Sequence, residues 1–274
     1  MNSRLIAACA LALGLLTFAT TAQAAEPDFT WSTSVSTAQA GGHPNLTFNY
    51  ASSSTQSLTR LDVDLPQGLM HRNNLSGACT NSLYLADNCP ASSTVGTVAT
   101  QIVVVGIPIT VPGTIYQLSA PTGDAAATFG IVLRPPLSSL GLTGKIFIRN
   151  QISFTNGGGL RSSLVGPLNS VTVLGATLPS RIAQLRLTYN SQTPTGGIAL
   201  ISNPTSCKPQ AFTAVGTYSS QSPREKSFSF TTTGCAAVPF APTSAVQLSN
   251  DVPGQKSAVL VAVGNPGGGS SSAL

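Results

Sequence analysis

The sequence predicts an all-β protein, built as one or two antiparallel β-sandwich domains of immunoglobulin-like or jelly-roll-like type. Three observations carry that class. Short segments that alternate apolar and polar residues recur from end to end, β-branched residues fill them, and Gly, Pro, Asn and Ser punctuate the chain about every eight to twelve residues. Thr30–Val35, Leu46–Tyr50 and the second half of Leu58–Leu65 alternate with period two, so each can bury one face and wet the other. Val95–Val105 ends apolar on both faces and suits a buried central strand. Gly106-Ile107-Pro108-Ile109 then turns the chain towards Thr114–Leu118, which reads as a hairpin.

Farther along, Thr128–Leu133, Lys145–Arg149, Gln151–Phe154, Ser170–Leu174, Ala211–Val215 and Lys226–Phe230 are strand candidates. Pro135-Pro136 and Gly157-Gly158-Gly159 break them apart. Arg181–Leu187 has some helix propensity, but its alternation through Ile182–Tyr189 favours a strand. One short helix is expected over Asn81–Asp87, with Thr80 as its cap and Leu83 and Leu85 packing inward.

Domain organisation begins with residues 1–24, which read as a secretory signal peptide. Arg4 gives a positive start, Leu5–Phe18 is an uncharged apolar run, and Ala22-Gln23-Ala24 is an A-x-A cleavage site. Ile6-Ala7-Ala8-Cys9 has the residue types of a lipidation box, but too few apolar residues precede Cys9 and the run continues past it. A composition break at Ser119–Asp124 divides the rest into an N-terminal β domain over 25–118 and a second over 119–240. Residues 241–274 read as an extra strand or truncated repeat, because Gly254 with Val259, Val261 and Val263 echoes Gly41 with Leu46, Phe48 and Tyr50. A Gly/Ser-rich tail follows.

Composition excludes several functions. Asp, Glu, Lys and Arg make up only 8% of the chain while 42% is hydrophobic, so neutral polar groups must cover the surface. The net charge of +5 is scattered singly, with no basic stripe or interleaved aromatics, so no nucleic-acid partner is expected. No later stretch is long and apolar enough for a transmembrane helix.

After cleavage four cysteines remain, Cys79, Cys89, Cys207 and Cys235, and an even set in an oxidising compartment points to two disulfides. Of the three connectivities, Cys79 with Cys89 and Cys207 with Cys235 are favoured as sequence neighbours. Zinc would need a closer C-x₂₋₄-C pair, which is missing. No cofactor or metal motif stands out.

Chemistry-bearing residues are few: two histidines, two glutamates and six aspartates, with no G-x-S-x-G or H-E-x-x-H. His43 and His71 read as exposed turn residues. Asp62 and Asp64, two apart on a strand, share a face and form the best carboxylate pair for binding, although a polar edge of a half-buried strand, with Asp64 capping the turn Leu65-Pro66-Gln67-Gly68, is the favoured reading. Asn45-Leu46-Thr47 and Asn74-Leu75-Ser76 match the glycosylation sequon without carrying an argument.

The expected function is therefore a secreted or cell-surface structural or binding protein, not an enzyme. A cell-wall or glycan module is the alternative within binding, for which Trp31, Tyr50, Tyr84, Tyr116 or Tyr218 would have to stand exposed. A secreted hydrolase would need a histidine near a serine or carboxylate in a cleft. An outer-membrane barrel would fit the low charge, but aromatic girdles are lacking.

Five ordered motifs add a resemblance. Ser36-Thr37-Ala38-Gln39-Ala40-Gly41-Gly42-His43-Pro44-Asn45-Leu46, Val63-Asp64-Leu65-Pro66-Gln67-Gly68-Leu69, Cys89-Pro90-Ala91-Ser92-Ser93-Thr94-Val95-Gly96-Thr97, Asn203-Pro204-Thr205-Ser206-Cys207 and Cys235-Ala236-Ala237-Val238-Pro239-Phe240-Ala241-Pro242 occur in this order. Together they resemble a family of large, exported, β-rich repeat proteins of actinobacterial type with no established activity. The resemblance implies an extracellular role, supports the disulfides and strengthens the reading of the Gly254 echo as an opening repeat.

The exported protein is expected to begin at Ala25 or Glu26 and to show no free thiol. Mass spectrometry after alkylation without reductant checks both; one alkylated cysteine among the four contradicts the pairing.

Overall fold

The computed structural model describes residues 28–72, 75, 77–121, 123, 125–136, 144–173, 176–194, 197–235, 243–248 and 259–264. The segment expected to be a signal peptide, Asn74 and Ser76 of the second sequon, Gly254 and the Gly/Ser-rich tail lie outside them.

Strands follow the alternation. They are β1 (Thr30–Val35), β2 (Leu46–Ala51), β3 (Leu58–Asp64), β4 (Met70–His71), β5 (Thr94–Val104), β6 (Ile107–Gln117), β7 (Ala127–Leu133) and β8 (Ile146–Phe154). Next come β9 (Leu160–Val165), β10 (Ser170–Val173), β11 (Ala176–Tyr189), β12 (Ile201–Ser202), β13 (Gln210–Tyr218) and β14 (Arg224–Phe230). β15 (Thr243–Leu248) and β16 (Val259–Gly264) form a separate two-stranded hairpin.

One sheet runs β1-β2-β11-β5-β6-β7-β8-β9-β3-β13-β14, antiparallel throughout, with β10 added to β11. It curls until β14 lies beside β1, so the all-β class stands and the sandwich becomes a nearly closed barrel. Closure removes most of the exposed edge that an open sheet would present. The expected division at residues 118/119 does not separate two bodies. β11 sits between β2 and β5, and β3 sits between β9 and β13, so both halves of the sequence interleave in one wall.

The seam between β1 and β14 is closed by side chains and flanking segments. Lys226 reaches Asp28 at 2.9 Å, the Ala40 N–H donates to the Thr233 carbonyl at 2.8 Å, and the Thr233 N–H donates to Ala38 at 2.9 Å. Inside, Phe48 of β2 meets Trp31 of β1 at 5.5 Å between ring centroids, and Phe212 of β13 at 5.7 Å; Phe212 meets Phe230 of β14 at 5.5 Å. Aromatic packing thus ties the two edges where no backbone ladder does. The core continues through Leu61, Ile115, Ile131, Leu133 and Leu185 around the interior.

A second, smaller core lies on the outer face. The helix α1 (Asn81–Leu85) begins at Thr80, whose hydroxyl accepts the Leu83 N–H at 3.3 Å. The Cys79–Cys89 disulfide closes this segment, and Tyr84 packs with Tyr116, Leu118 and Val132. Tyr84, rather than the expected Leu85, is the buried anchor, and Leu85 is exposed. The second disulfide joins Cys207 to Cys235.

Two prolines refine the expected hairpin. β6 starts at Ile107 and holds Pro108 and Pro112 on a stretch that pairs with β5 but precedes its pairing with β7, where a missing N–H costs little. The turn is only Val105-Gly106, with φ of 49° and 81°. Such a turn favours Asn-Gly, so a β-branched residue is strained here.

Gly130 lies under Tyr84, where an added Cβ would meet ring carbons at 2.5 and 2.6 Å. Gly130→Ala is expected to destabilise the protein by about 1–3 kcal/mol by lifting the helical flap. Val105→Asn is expected to stabilise it by about 1 kcal/mol. Denaturant unfolding measures both, and a neutral Gly130→Ala contradicts the packing.

Candidate functional site

Most of the residues singled out from the sequence are committed to structure. Asp62 binds Arg60 at 2.8 Å, and Asp64 binds Arg161 of the neighbouring strand at 2.6 Å. The two carboxylates share a face as expected, and each is matched by its own guanidinium. Trp31 is half-buried against Phe48, while Tyr50, Tyr84, Tyr116 and Tyr218 are buried, so none of these rings forms an exposed stacking row.

His43 is exposed as expected. Its Nδ1 lies 2.9 Å from the Ile201 carbonyl and 3.2 Å from Ser202 Oγ. The carbonyl can only accept, so Nδ1 carries the proton and cannot serve as a base towards that serine. The hydrogen bond instead holds β12 in place.

His71 departs from its expected place. Expected in solvent, it sits on β4, which pairs with β12 and folds across one end of the barrel. Its ring packs edge-on against Phe129 at 4.7 Å, and both ring nitrogens are shielded from water without a partner, though the residue as a whole is half-buried. Burial pushes its pKa down to about 4. Leu69, Phe48, Ile201, Tyr189 and Asn150 line a cavity of about 40 Å³ beside it. There Asn150 Nδ2 donates to Tyr189 Oη at 2.5 Å, and Ser162 Oγ donates to Asn150 Oδ1 at 2.8 Å. Asn150, Tyr189 and Ser162 thus form a hydrogen-bonded chain in the core, and the cavity beside them is too small to hold more than water.

The larger concavity is elsewhere, and no motif marked it. β11 bulges at Ala183, where its register with β5 shifts between Ile182 and Gln184. β2 ends opposite Gln184, and the Ser52 N–H caps the bulge by donating to the Ala183 carbonyl at 2.8 Å. The β5–β6 hairpin continues beyond that point, so its end and the start of β1 enclose a groove of about 570 Å³. Asp28, Thr30, Ser52, Gln101, Arg181 and Gln184 give it polar walls, and Val103 and Pro108 an apolar side. Lys226 is the main reason, with the Phe29 N–H second, that the Asp28 carboxyl lies below its usual range. Arg181 Nη1 is shielded and has no acceptor in the protein.

A fourth charged cluster supports the outer flap. Burial alone would raise the Asp87 carboxyl, but Arg134 and Lys145 outweigh it and hold the group below its ordinary value. Among the described residues, no group of three or more His, Cys, Asp or Glu side chains is placed to hold a metal ion.

Compared with family models, with curated proteins and with solved structures, the chain gives no match.

The His71 burial carries a pH signature. Unfolded, the imidazole takes up a proton as pH falls through 6.5, whereas the folded form resists down to about 4. Stability is therefore expected to fall with pH across this window, by about 3 kcal/mol in all. Asp87 acts in the same direction but only at lower pH, in and below the usual carboxylate range. Denaturant unfolding from pH 7 to 4 measures the slope. His71→Phe is expected to flatten it, and an unchanged slope contradicts the enclosed ring.

Proposed function

We propose that the mature chain is an exported, non-catalytic β-protein that works at the cell surface or outside the cell as a structural or binding module. One observation carries this reading. The four described aspartates are all spent in ion pairs, and the open groove brings no histidine or cysteine beside its hydroxyls. A hydrolytic site would need a base aimed at a nucleophile, and His43 offers its proton-bearing nitrogen instead. The two disulfides suit an oxidising compartment, and the signal-like start supplies the route. Membership in the exported actinobacterial repeat family is part of the same proposal.

The sidedness of the wall favours a water-facing barrel over a membrane-spanning one. Outward positions carry Arg60, Gln184, Arg186, Glu225 and Ser227, while the interior is apolar. Outer-membrane barrels have the opposite arrangement. Among the described residues no helix is long and apolar enough to cross a membrane.

Fractionation of the producing cell tests the proposal. The mature chain is expected in the wall or the medium without detergent, with a wall or extracellular component retained on pull-down. Recovery only from cytosol, or only with detergent from membranes, overturns it.

A further inference from the structure

We propose that the groove beside the β11 bulge binds an acidic sugar, its carboxylate held by Arg181 and its hydroxyls by Gln101, Gln184, Ser52 and Thr30. This deepens the surface-binding reading above and rests on it.

Size is the first argument. At about 570 Å³ the groove falls in the range of small-molecule sites, whereas the barrel-end cavity, at about 40 Å³, does not. Charge is the second. Asp28 is already matched by Lys226, so Arg181 is the unopposed charge on the lining. Its Nη1 has no acceptor in the protein, and since that nitrogen is shielded from water, a carboxylate meets it only once the side chain turns into the groove. A planar guanidinium suits a planar carboxylate through paired hydrogen bonds, while a phosphate dianion would call for more than one cation.

The remaining walls point to hydroxyls. Two side-chain amides offer donors and acceptors, and the Ser52 and Thr30 hydroxyls, which donate to the carbonyls of Asp28 at 2.8 Å and Ala51 at 3.4 Å, keep acceptor lone pairs for a sugar ring's hydroxyls. Ring stacking plays no part, since Phe29, the aromatic residue on the lining, is 2% exposed. Apolar contact comes instead from Val103 and Pro108, and the hairpin tip beside them leaves Val105 73% and Ile107 61% exposed. Val105 is also held at a φ of 49°, a conformation that a β-branched residue avoids. Strain of this kind concentrates at functional positions.

Calorimetric titration of the purified, oxidised mature protein with a trimer of galacturonic acid tests the site. The matching galactose trimer and inorganic phosphate serve as comparisons. Saturable binding of the acidic trimer is expected, weakened about tenfold or more for the neutral trimer and in Arg181→Gln. Gln184→Ala, at an exposed position, is expected to weaken it several-fold and carries the test if Arg181→Gln does not fold. Absence of saturable binding, binding unchanged in these variants, or phosphate bound as tightly as the trimer overturns the assignment. A chain that fractionates to the wall yet ignores the trimer overturns the site alone. A chain that cleaves the trimer overturns the non-catalytic reading and leaves the site.

Discussion

The packing of Phe48 against Trp31 on one side and Phe212 on the other is the interaction on which the rest of the architecture depends. β1 and β14 lie side by side without forming a ladder, so hydrogen bonds alone would leave the sheet open. Rings from β1, β2, β13 and β14 instead meet in series across the seam. Through Tyr189, Phe48 also reaches β11, and from there Phe129 on β7. Each buried aromatic side chain contributes a large apolar area, and edge-to-face contacts add about 0.5–1.5 kcal/mol each. The exposed Asp28–Lys226 pair marks the seam but contributes little by comparison.

Closing the sheet has a consequence for function. An interior filled by apolar and aromatic side chains has no room for a ligand, and within it Asn150, Tyr189 and Ser162 hydrogen-bond to one another. The proposed recognition therefore falls to the outer wall. Register shifts occur at Thr94/Gly96 of β5, at Thr217/Tyr218 of β13 and at the β11 bulge, and it is the β11 bulge that lies where β2 ends and the long β5–β6 hairpin stands over a groove. Bulges commonly re-aim side chains beside functional sites. The same device here turns Arg181 and Gln184 towards one hollow.

Much of this was legible in the sequence because alternation is a local signal. β1, β2, β3, β7 and β14 fall close to where period-two segments end, and both disulfides join the expected neighbours. Long-range effects hid the remainder. β9 reads Leu-Arg-Ser-Ser-Leu-Val, and its buried Ser162 and Ser163 imitate a loop until Asn150 is placed beside Ser162. Asn150 likewise seemed to divide two strands, yet β8 runs unbroken because that amide has partners inside the barrel. His71 looked like a turn residue, since nothing nearby in sequence shows that Phe129 will lie against it. The groove was invisible for a related reason. Its walls come from segments near residues 28, 52, 101 and 181, and a one-residue bulge leaves no mark in an alternating pattern.

Native-state hydrogen exchange distinguishes one closed body built from both halves of the chain from two bodies that open independently. The slowest amides of β2, β3 and β5 are expected to exchange with the same opening free energy as those of β11 and β13, through one global event. Protection in residues 119–240 that survives complete exchange in residues 28–118, or the reverse, would contradict a single barrel.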